Sequence, residues 1–346
     1  MAETIQTVET RVKGQWVSVP SMAVNGELLV AKGKWPRIAR VRGEEMRERD
    51  LEDPEVYLRA LKGDTKQILN ADIFSFTQMI SATQPRYCYP MEWESVAAIS
   101  LISYIGWWNG LPQESRKNVR RAEKRGVVIK LKQFDEDLIE GLREVNDDSP
   151  MRQGMKNAYY GLTASETRRR YCEFVGRCDF ICAYFGDEMI GFLHLVHRGA
   201  VGAILNLTTK PSHFDKRPAN ALLAKAVEIA EARGMTHISY GLYNYGNKRN
   251  SSLKEFKVRN GFEEILAPRY YVPITLCGRL CIRAKLHRGL IGMLPPSVIA
   301  GALRARTLWY GSMNFKRRCS SMPERPNCDR QMGRSNPPAG SRFSRG

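Results

Sequence analysis

Three short apolar runs in close succession constrain this chain more than any other feature. Phe180–Phe185, Met189–Val196 and Ala203–Leu207 are rich in aromatic and aliphatic residues and are punctuated by Gly186-Asp187 and a turn at Gly199. They read as an antiparallel meander. In the next segment, Pro218–Arg233, residues Leu222, Leu223, Ala226, Val227 and Ala230 share one helical face; Pro218 suits the first position and Gly234 supplies the stop. His237–Tyr240 returns as a strand, Ser252–Asn260 as a short helix and Tyr270–Ile274 as a last strand. A meander followed by α-β-α-β buries its apolar faces as a mixed sheet with helices on both faces, an α/β (α+β) fold.

Upstream, Val96–Leu101 reads as a strand, Ser103–Arg125 as at least one helix stopped by Gly126, and Val127–Leu131 as a strand. Helices follow at Asp135–Asn146 and Thr163–Gly176. Nearer the N-terminus, Glu27–Ala31 and Arg37–Val41 look like strands, Pro54–Lys62 like a polar helix and Asp72–Phe76 like an apolar strand, whereas residues 1–24 show no strong period and are expected to be partly loose. The expected organisation is a reduced N-terminal α/β piece over 1–85, a main domain over 86–275, basic amphipathic helices over 276–310 and a disordered tail over 311–346.

Charge separates the tail from the rest. Of the net +18, the segment from Arg279 onward supplies +12, from fourteen basic residues against Glu324 and Asp329, which leaves +6 for the remainder. Arg283, Lys285, Arg288, Arg304 and Arg306 alternate with Leu286, Leu290, Ile291 and Leu303, a pattern that suits an anionic membrane surface or an RNA backbone. The apolar stretches Val96–Trp108 and Leu290–Leu303 fall short of the roughly 20 residues a spanning helix needs, and the N-terminus lacks the basic start and apolar run of a secretion signal. Eight cysteines without Cys-x-x-Cys spacing and five unclustered histidines suggest reduced thiols and no metal site. A cytoplasmic protein, peripheral at the inner membrane, is the expectation.

The stretch Tyr240–Phe262 carries the strongest chemical signal. Ser252 and Glu255 match a capping box and Asn260-Gly261-Phe262 a helical stop, with Phe262 placed to fold back on Phe256. Tyr243, Asn244, Tyr245 and Asn247, on the loop leading into that helix, sit where a strand's C-terminal end often meets a ligand, although a plain glycine-rich connection is the alternative. The order of elements, ending in SLKEFKVRNGF, resembles the GNAT acyltransferase superfamily. More narrowly, RKNVRRAEKRG at Arg116–Gly126 together with Phe256-Lys257 resembles the Fem-type aminoacyl transferases, through a basic R-N-x-x-x-A-x-K-x-G segment and a late F-K-x-x-x-G. The likeness covers about residues 90–275. Where GNAT proteins carry a glycine-bearing pyrophosphate loop, this chain has His213-Phe-Asp-Lys-Arg-Pro-Ala-Asn220 without those glycines.

The resemblance implies acyl transfer to an amine, with the donor, acyl-CoA or aminoacyl-tRNA, lying where two central strands splay, by order Gly191–Val196 and Ala203–Leu207. Lys257 aligns with the family lysine that handles the donor or developing negative charge, and a surface lysine is its plain alternative. Asn206 falls near the reacting centre as a holder of amine or water, or as a strand-end hydrogen bond. Tyr240 is a candidate acid for the leaving group, or core packing. Lys216, Arg217, Asn220 and Phe256 are candidate donor-binding residues. Arg116, Arg120, Tyr243, Asn244 and Tyr245 are candidates for a phosphate-bearing, anionic substrate, among them a cell-envelope precursor or tRNA, although Arg116–Arg125 also reads as a solvated helix face. Two rival functions remain open: an acetyl-CoA-dependent N-acetyltransferase acting on a small amine, and a non-catalytic nucleic-acid-binding protein of the same fold.

Overall fold

The computed structural model describes residues 6–288 apart from 13–14, 34, 64–65, 81, 83, 153–154 and 245–251. Strands β1 (Gln6–Val12), β2 (Gln15–Val24), β3 (Glu27–Lys32) and β4 (Ile38–Val41) come first, then helices α1 (Pro54–Lys62) and α2 (Lys66–Leu69) and strand β5 (Ile73–Thr77). β6 (Met91–Ser100), α3 (Tyr104–Gly110), α4 (Gln113–Lys124), β7 (Val127–Lys132) and α5 (Glu136–Asp147) lead to a two-residue hairpin, β8 (Met151–Arg152) with β9 (Met155–Lys156). Then come α6 (Ala164–Tyr171), the meander β10 (Cys178–Phe185), β11 (Glu188–Arg198) and β12 (Val201–Thr209), α7 (Pro218–Ala232), β13 (His237–Leu242), α8 (Ser252–Arg259), β14 (Glu263–Pro273) and α9 (Leu276–Arg283).

One 12-stranded sheet runs β1-β2-β3-β4-β5-β14-β6-β13-β12-β11-β10-β7. Its pairs are antiparallel except β4 with β5 and β12 with β13. Alternation along the meander sets the layers. Ile181, Ala183, Leu193 and Leu195 face a core completed by Leu222, Leu223, Val227 and Ala230 of α7, Ala122 of α4 and Trp107 of α3. Their neighbours Phe180, Cys182 and Phe192 face the opposite core, built with Leu138, Ile139, Leu142 and Val145 of α5 and Tyr171 of α6. Each fully buried aliphatic side chain contributes about 1.5–3 kcal/mol. A third core joins Tyr57, Leu58 and Leu61 of α1 to Leu29, Phe74, Phe76 and Tyr270 of the sheet.

Local signals explain the element ends. Asp53 caps α1 by accepting from Glu55 N at 2.9 Å, and Asp135 caps α5 by accepting from Leu138 N at 2.8 Å. Thr163 and Glu166 form a capping box on α6, after which Cys172–Arg177 tightens into a 3-10 turn kinked at Phe174, so the helix expected over Thr163–Gly176 is a shorter α-helix with a tail. α7 starts with Pro218 at its first turn and ends where Gly234, at φ +66°, lets Met235 N reach Ala230 O at 2.9 Å.

Two expectations need correction. Residues 1–24 are not loose throughout: Gln6–Val12 and Gln15–Val24 form an antiparallel pair at the edge of the sheet. Strict alternation is absent from β2 at Pro20-Ser21-Met22, where Ser21 and Met22 are both buried. The last strand begins at Glu263, seven residues earlier than its sequence pattern shows, because Glu263–Leu266 pairs with β6 while leaving most of its side chains in solvent. Of the basic helices expected over 276–310, α9 and a 3-10 turn at Leu286–Arg288 are described. The rest of that segment and the tail lie outside the described residues.

Candidate active site

β12 and β13 run parallel and are paired only over Val201–Ala203 and His237–Ser239. Beyond that point both strands leave regular geometry. In β12 the register against β11 slips between Ile204 and Asn206, and in β13 Gly241 at φ +58° lets the register against β6 jump from Ser239 to Leu242. β12 and β13 therefore splay, and not the expected pair Gly191–Val196 and Ala203–Leu207, which stays hydrogen-bonded as β11 and β12 because the hairpin at Gly199 keeps them antiparallel neighbours.

The carbonyls of the irregular stretch still need donors. Lys257 supplies them: its Nζ donates to Tyr240 O at 2.6 Å and Leu242 O at 2.8 Å and lies 4.7 Å from the centre of the Tyr240 ring. The side chain is fully buried, so the surface-lysine reading does not hold. Burial pulls its pKa from 10.5 down to about 8. α8 delivers this lysine because its C-terminus is locked. Asn260 N bonds Phe256 O, Gly261 adopts φ +82°, and Phe262 N returns to Lys257 O at 3.0 Å. The Phe262 ring packs on Tyr240 at 5.9 Å. The helix begins at Ser252, so its N-cap position, 251, lies outside the described residues.

At the splay lies a cavity of about 320 Å³, lined by Leu207 and Thr209 of β12, Tyr240 of β13, Leu253 and Phe256 of α8, and by Asn146, Arg152 and Asn157 from the α5 side. Tyr240 and Phe256 thus share one space. Asn206 lines a different, larger cleft of about 520 Å³ together with His194, Tyr159, Tyr171, Arg170 and Arg269. His194, in register with Asn206, is buried against Phe180 at 4.4 Å, and burial lowers its pKa to about 4, so it is neutral at pH 7. On the floor of this cleft Arg269 bonds Glu44 at 2.6 Å and Glu94 at 3.0 Å. Despite its burial, those two carboxylates raise its pKa above the usual guanidinium value.

The remaining candidates are dispersed. Arg217 is the exposed N-cap of α7, at φ +57°; Lys216 lies over the Phe185 ring at 4.6 Å and 3.6 Å from Asp215. Asn220 directs its amide to Asn260 Oδ1 at 2.9 Å, tying α7 to α8. Arg116 donates to Asn109 O at 3.3 Å, and Arg120 lies over Trp108 at 5.6 Å, so both cover the α3–α4 corner and line neither cavity. Tyr243 N bonds Ser95 O at 3.0 Å, and Asn244 bonds Glu264 at 2.8 Å and accepts from Lys254 at 2.7 Å. Tyr245 and Asn247 fall outside the described residues.

Sequence reasoning missed Arg152. It sits on the β8–β9 hairpin, in a connection without periodicity, and its Nη1 donates to Thr208 Oγ1 at 2.9 Å across 56 residues of chain. Among the described residues no group of His, Cys, Asp and Glu is placed to hold a metal ion, the six cysteines are free, and no helix is long and apolar enough to cross a membrane.

Comparison with known proteins places this architecture. Residues 113–249 match the family model of the acetyltransferase (GNAT) domain. The chain is similar to the solved C-terminal domain of an Agrobacterium fabrum protein assigned as a lysylphosphatidylglycerol synthetase, at 12% identity and TM-score 0.51 over 78% of this chain and 88% of that one. It is also similar to L-PGS from Bacillus licheniformis, at 14% identity and TM-score 0.51 over 80% and 90% of the two chains. FemX aligns over 81% of this chain and 90% of its own, at 12% identity and TM-score 0.49. No curated protein matches the chain. With its splayed parallel strand pair inside a mixed sheet, the chain is similar to the acetyltransferase (GNAT) domain over residues 113–249.

Proposed function

We propose that the chain transfers an acyl or aminoacyl group, from a thioester or a charged tRNA, to an amine on a cell-envelope precursor. The observation that carries this reading is the splay of β12 and β13, with its cavity of about 320 Å³ opening beside Tyr240 and Phe256. Paired strands leave no room between their backbones, whereas separated ones offer strand-edge N–H and C=O groups to an extended ligand.

In this reading the acyl carbonyl enters the splay and the amine approaches from the cleft that holds Asn206. Asn146 links the two spaces, lining the smaller one and donating to Tyr171 of the larger at 3.3 Å. The amine lone pair attacks the carbonyl carbon and a C–N bond forms. The oxyanion then collapses, the C–S or C–O bond breaks, the Tyr240 hydroxyl protonates the departing sulfur or oxygen, and the proton shed by the amine nitrogen returns through water to the Tyr240 oxygen. Lys257 holds the splay in shape through the two strand carbonyls and places its charge beneath Tyr240. Lys216 and Arg217, at the start of α7, meet the donor's phosphates.

The same reading keeps the chain in the cytoplasm, at an anionic inner-leaflet surface. In support, α9 leaves Leu276 and Leu280 75% and 64% exposed beside the exposed Arg279 and Arg283. An acetyl-CoA-dependent N-acetyltransferase is the second reading, favoured by the family match over residues 113–249. Titrating acyl-CoA and charged tRNA while following thermal unfolding, and then assaying transfer to amines, separates the two. A shift and turnover with only one donor decides between them, and neither shift nor transfer with any donor overturns both in favour of a non-catalytic protein.

A further inference from the structure

The guanidinium of Arg152 is in an unusual position for a half-buried charge. It lines the splay cavity, and its one hydrogen bond among the described residues is to the neutral hydroxyl of Thr208. Burial holds its pKa below the ordinary guanidinium value, and among the described residues its charged neighbourhood contains no carboxylate, only the hydroxyls of Tyr171, Tyr240 and Tyr159. The acids next to its hairpin are engaged elsewhere: Asp147 accepts from Gly161 N at 2.7 Å, and Asp148 accepts from Ser212. An Arg carries five N–H donors in a planar fork matched to a carboxylate, so most of this fork has no partner. A half-buried cationic fork of this kind is open to an incoming anion.

A second orphan lines the same cavity. Asn146 is 3% exposed, and its Oδ1 has no hydrogen-bond partner among the described residues although its Nδ2 has two. The cavity thus presents a largely unused cationic fork beside the apolar wall of Leu207, Leu253 and Phe256.

We propose that Arg152 reads a carboxylate that a substrate, the acyl group or the amine acceptor, carries into the splay cavity. The claim rests on the splay as the place of transfer. Phosphates do not fit this role. In a thioester or charged-tRNA donor they lie many bonds from the reacting carbonyl, whereas Arg152 shares its cavity with Tyr240 at the reacting end. The carboxylate has two sources, the acyl group and the acceptor, and both present the same chemistry to the fork.

The test uses the full chain. Transfer rates are compared for succinyl and glutaryl thioesters against butyryl, and for tRNA charged with acidic against neutral amino acids, each with acceptors that carry or lack a carboxylate. A charge-assisted pair at this site gives the carboxylate substrate an advantage of about 10–100-fold in kcat/KM. Arg152→Gln erases that advantage, and Arg152→Lys keeps part of it. Preference that follows the donor assigns the carboxylate to the acyl group, and preference that follows the acceptor assigns it there. Equal rates for charged and neutral substrates overturn the proposal, as does an Arg152→Gln loss uniform across all donors, which marks a general oxyanion role. A binding arm keeps this failure apart from failure of the acyltransfer reading. Glutarate, but not its neutral diamide, should raise the melting temperature of the wild type and leave that of Arg152→Gln unchanged. That result with no turnover on any donor sinks the reaction and keeps the site, and no glutarate effect sinks the site.

Discussion

Replacing Lys257 by Met keeps an unbranched chain of similar length in the core and deletes the amine that clasps the splayed strand. Two opposing terms set the outcome. Without Nζ, the carbonyls of Tyr240 and Leu242 lose donors at 2.6 and 2.8 Å, and each buried acceptor left unpaired costs about 1–3 kcal/mol. Against this, the wild type pays for a buried cation: a pKa lowered from 10.5 to about 8 corresponds to about 3 kcal/mol. At pH 7 the two nearly offset, and Lys257→Met should lie between about 1 kcal/mol more stable and about 3 kcal/mol less stable than wild type. The pH dependence is sharper. Because the folded-state pKa lies below the unfolded one, the unfolded chain holds more protons between pH 8 and 10.5, so this lysine's contribution to stability rises with pH across that window. The methionine variant lacks that rise, and other titrating groups cancel between the two proteins. Urea unfolding at pH 7, 8, 9 and 10 should therefore show the wild type gaining on the variant, by up to about 3 kcal/mol on completion. A difference that stays flat over that range refutes the reasoning, because it means the amine is not buried as a cation.

Other consequences follow from the packing. Arg269→Met strands Glu44 and Glu94 beside a buried apolar side chain and should cost about 3–5 kcal/mol in urea unfolding, whereas loss of a mere surface pair costs under about 1. Gly278→Ala puts a Cβ 2.0 Å from Asp72 O, where α9 docks on the start of β5, and should cost about 1–3 kcal/mol with faster proteolysis around α9; an unchanged melting curve contradicts this contact. Deleting residues 289–346 should sharply weaken salt-sensitive binding to anionic liposomes or RNA, leaving only what α9 provides, with the melting temperature within error, and undiminished binding rules out those residues as its source.

Much of the framework was legible before any coordinates. The apolar face of α7, the turns at Gly186 and Gly199 and the stop at Gly261 are local signals, and each lies where its spacing puts it. What escaped was non-local. β2 hides its alternation at Pro20–Met22, and its register is fixed only by β1 and β3 on either side. Lys257 drew notice through resemblance alone. That it clasps Tyr240 and Leu242 follows from a strand irregularity at Gly241, which no periodicity announces. Arg152 gave no signal because its significance lies in Thr208, 56 residues away. The basic residues of α4 stood out by composition, yet Arg116 and Arg120 cover backbone and a tryptophan ring instead of lining a cavity.

The central claim is that a donor's acyl group enters the gap between β12 and β13. Thermal unfolding of the wild type and of Leu253→Trp, a half-buried position whose enlarged side chain fills the cavity from α8, tests it directly with acyl-CoA and with charged tRNA in turn. One of the two donors should stabilise the wild type, by about 2.7 kcal/mol at a hundredfold excess over Kd, and Leu253→Trp should lose that stabilisation while melting normally without ligand. No stabilisation by either donor, or the same stabilisation in the filled variant, would contradict it.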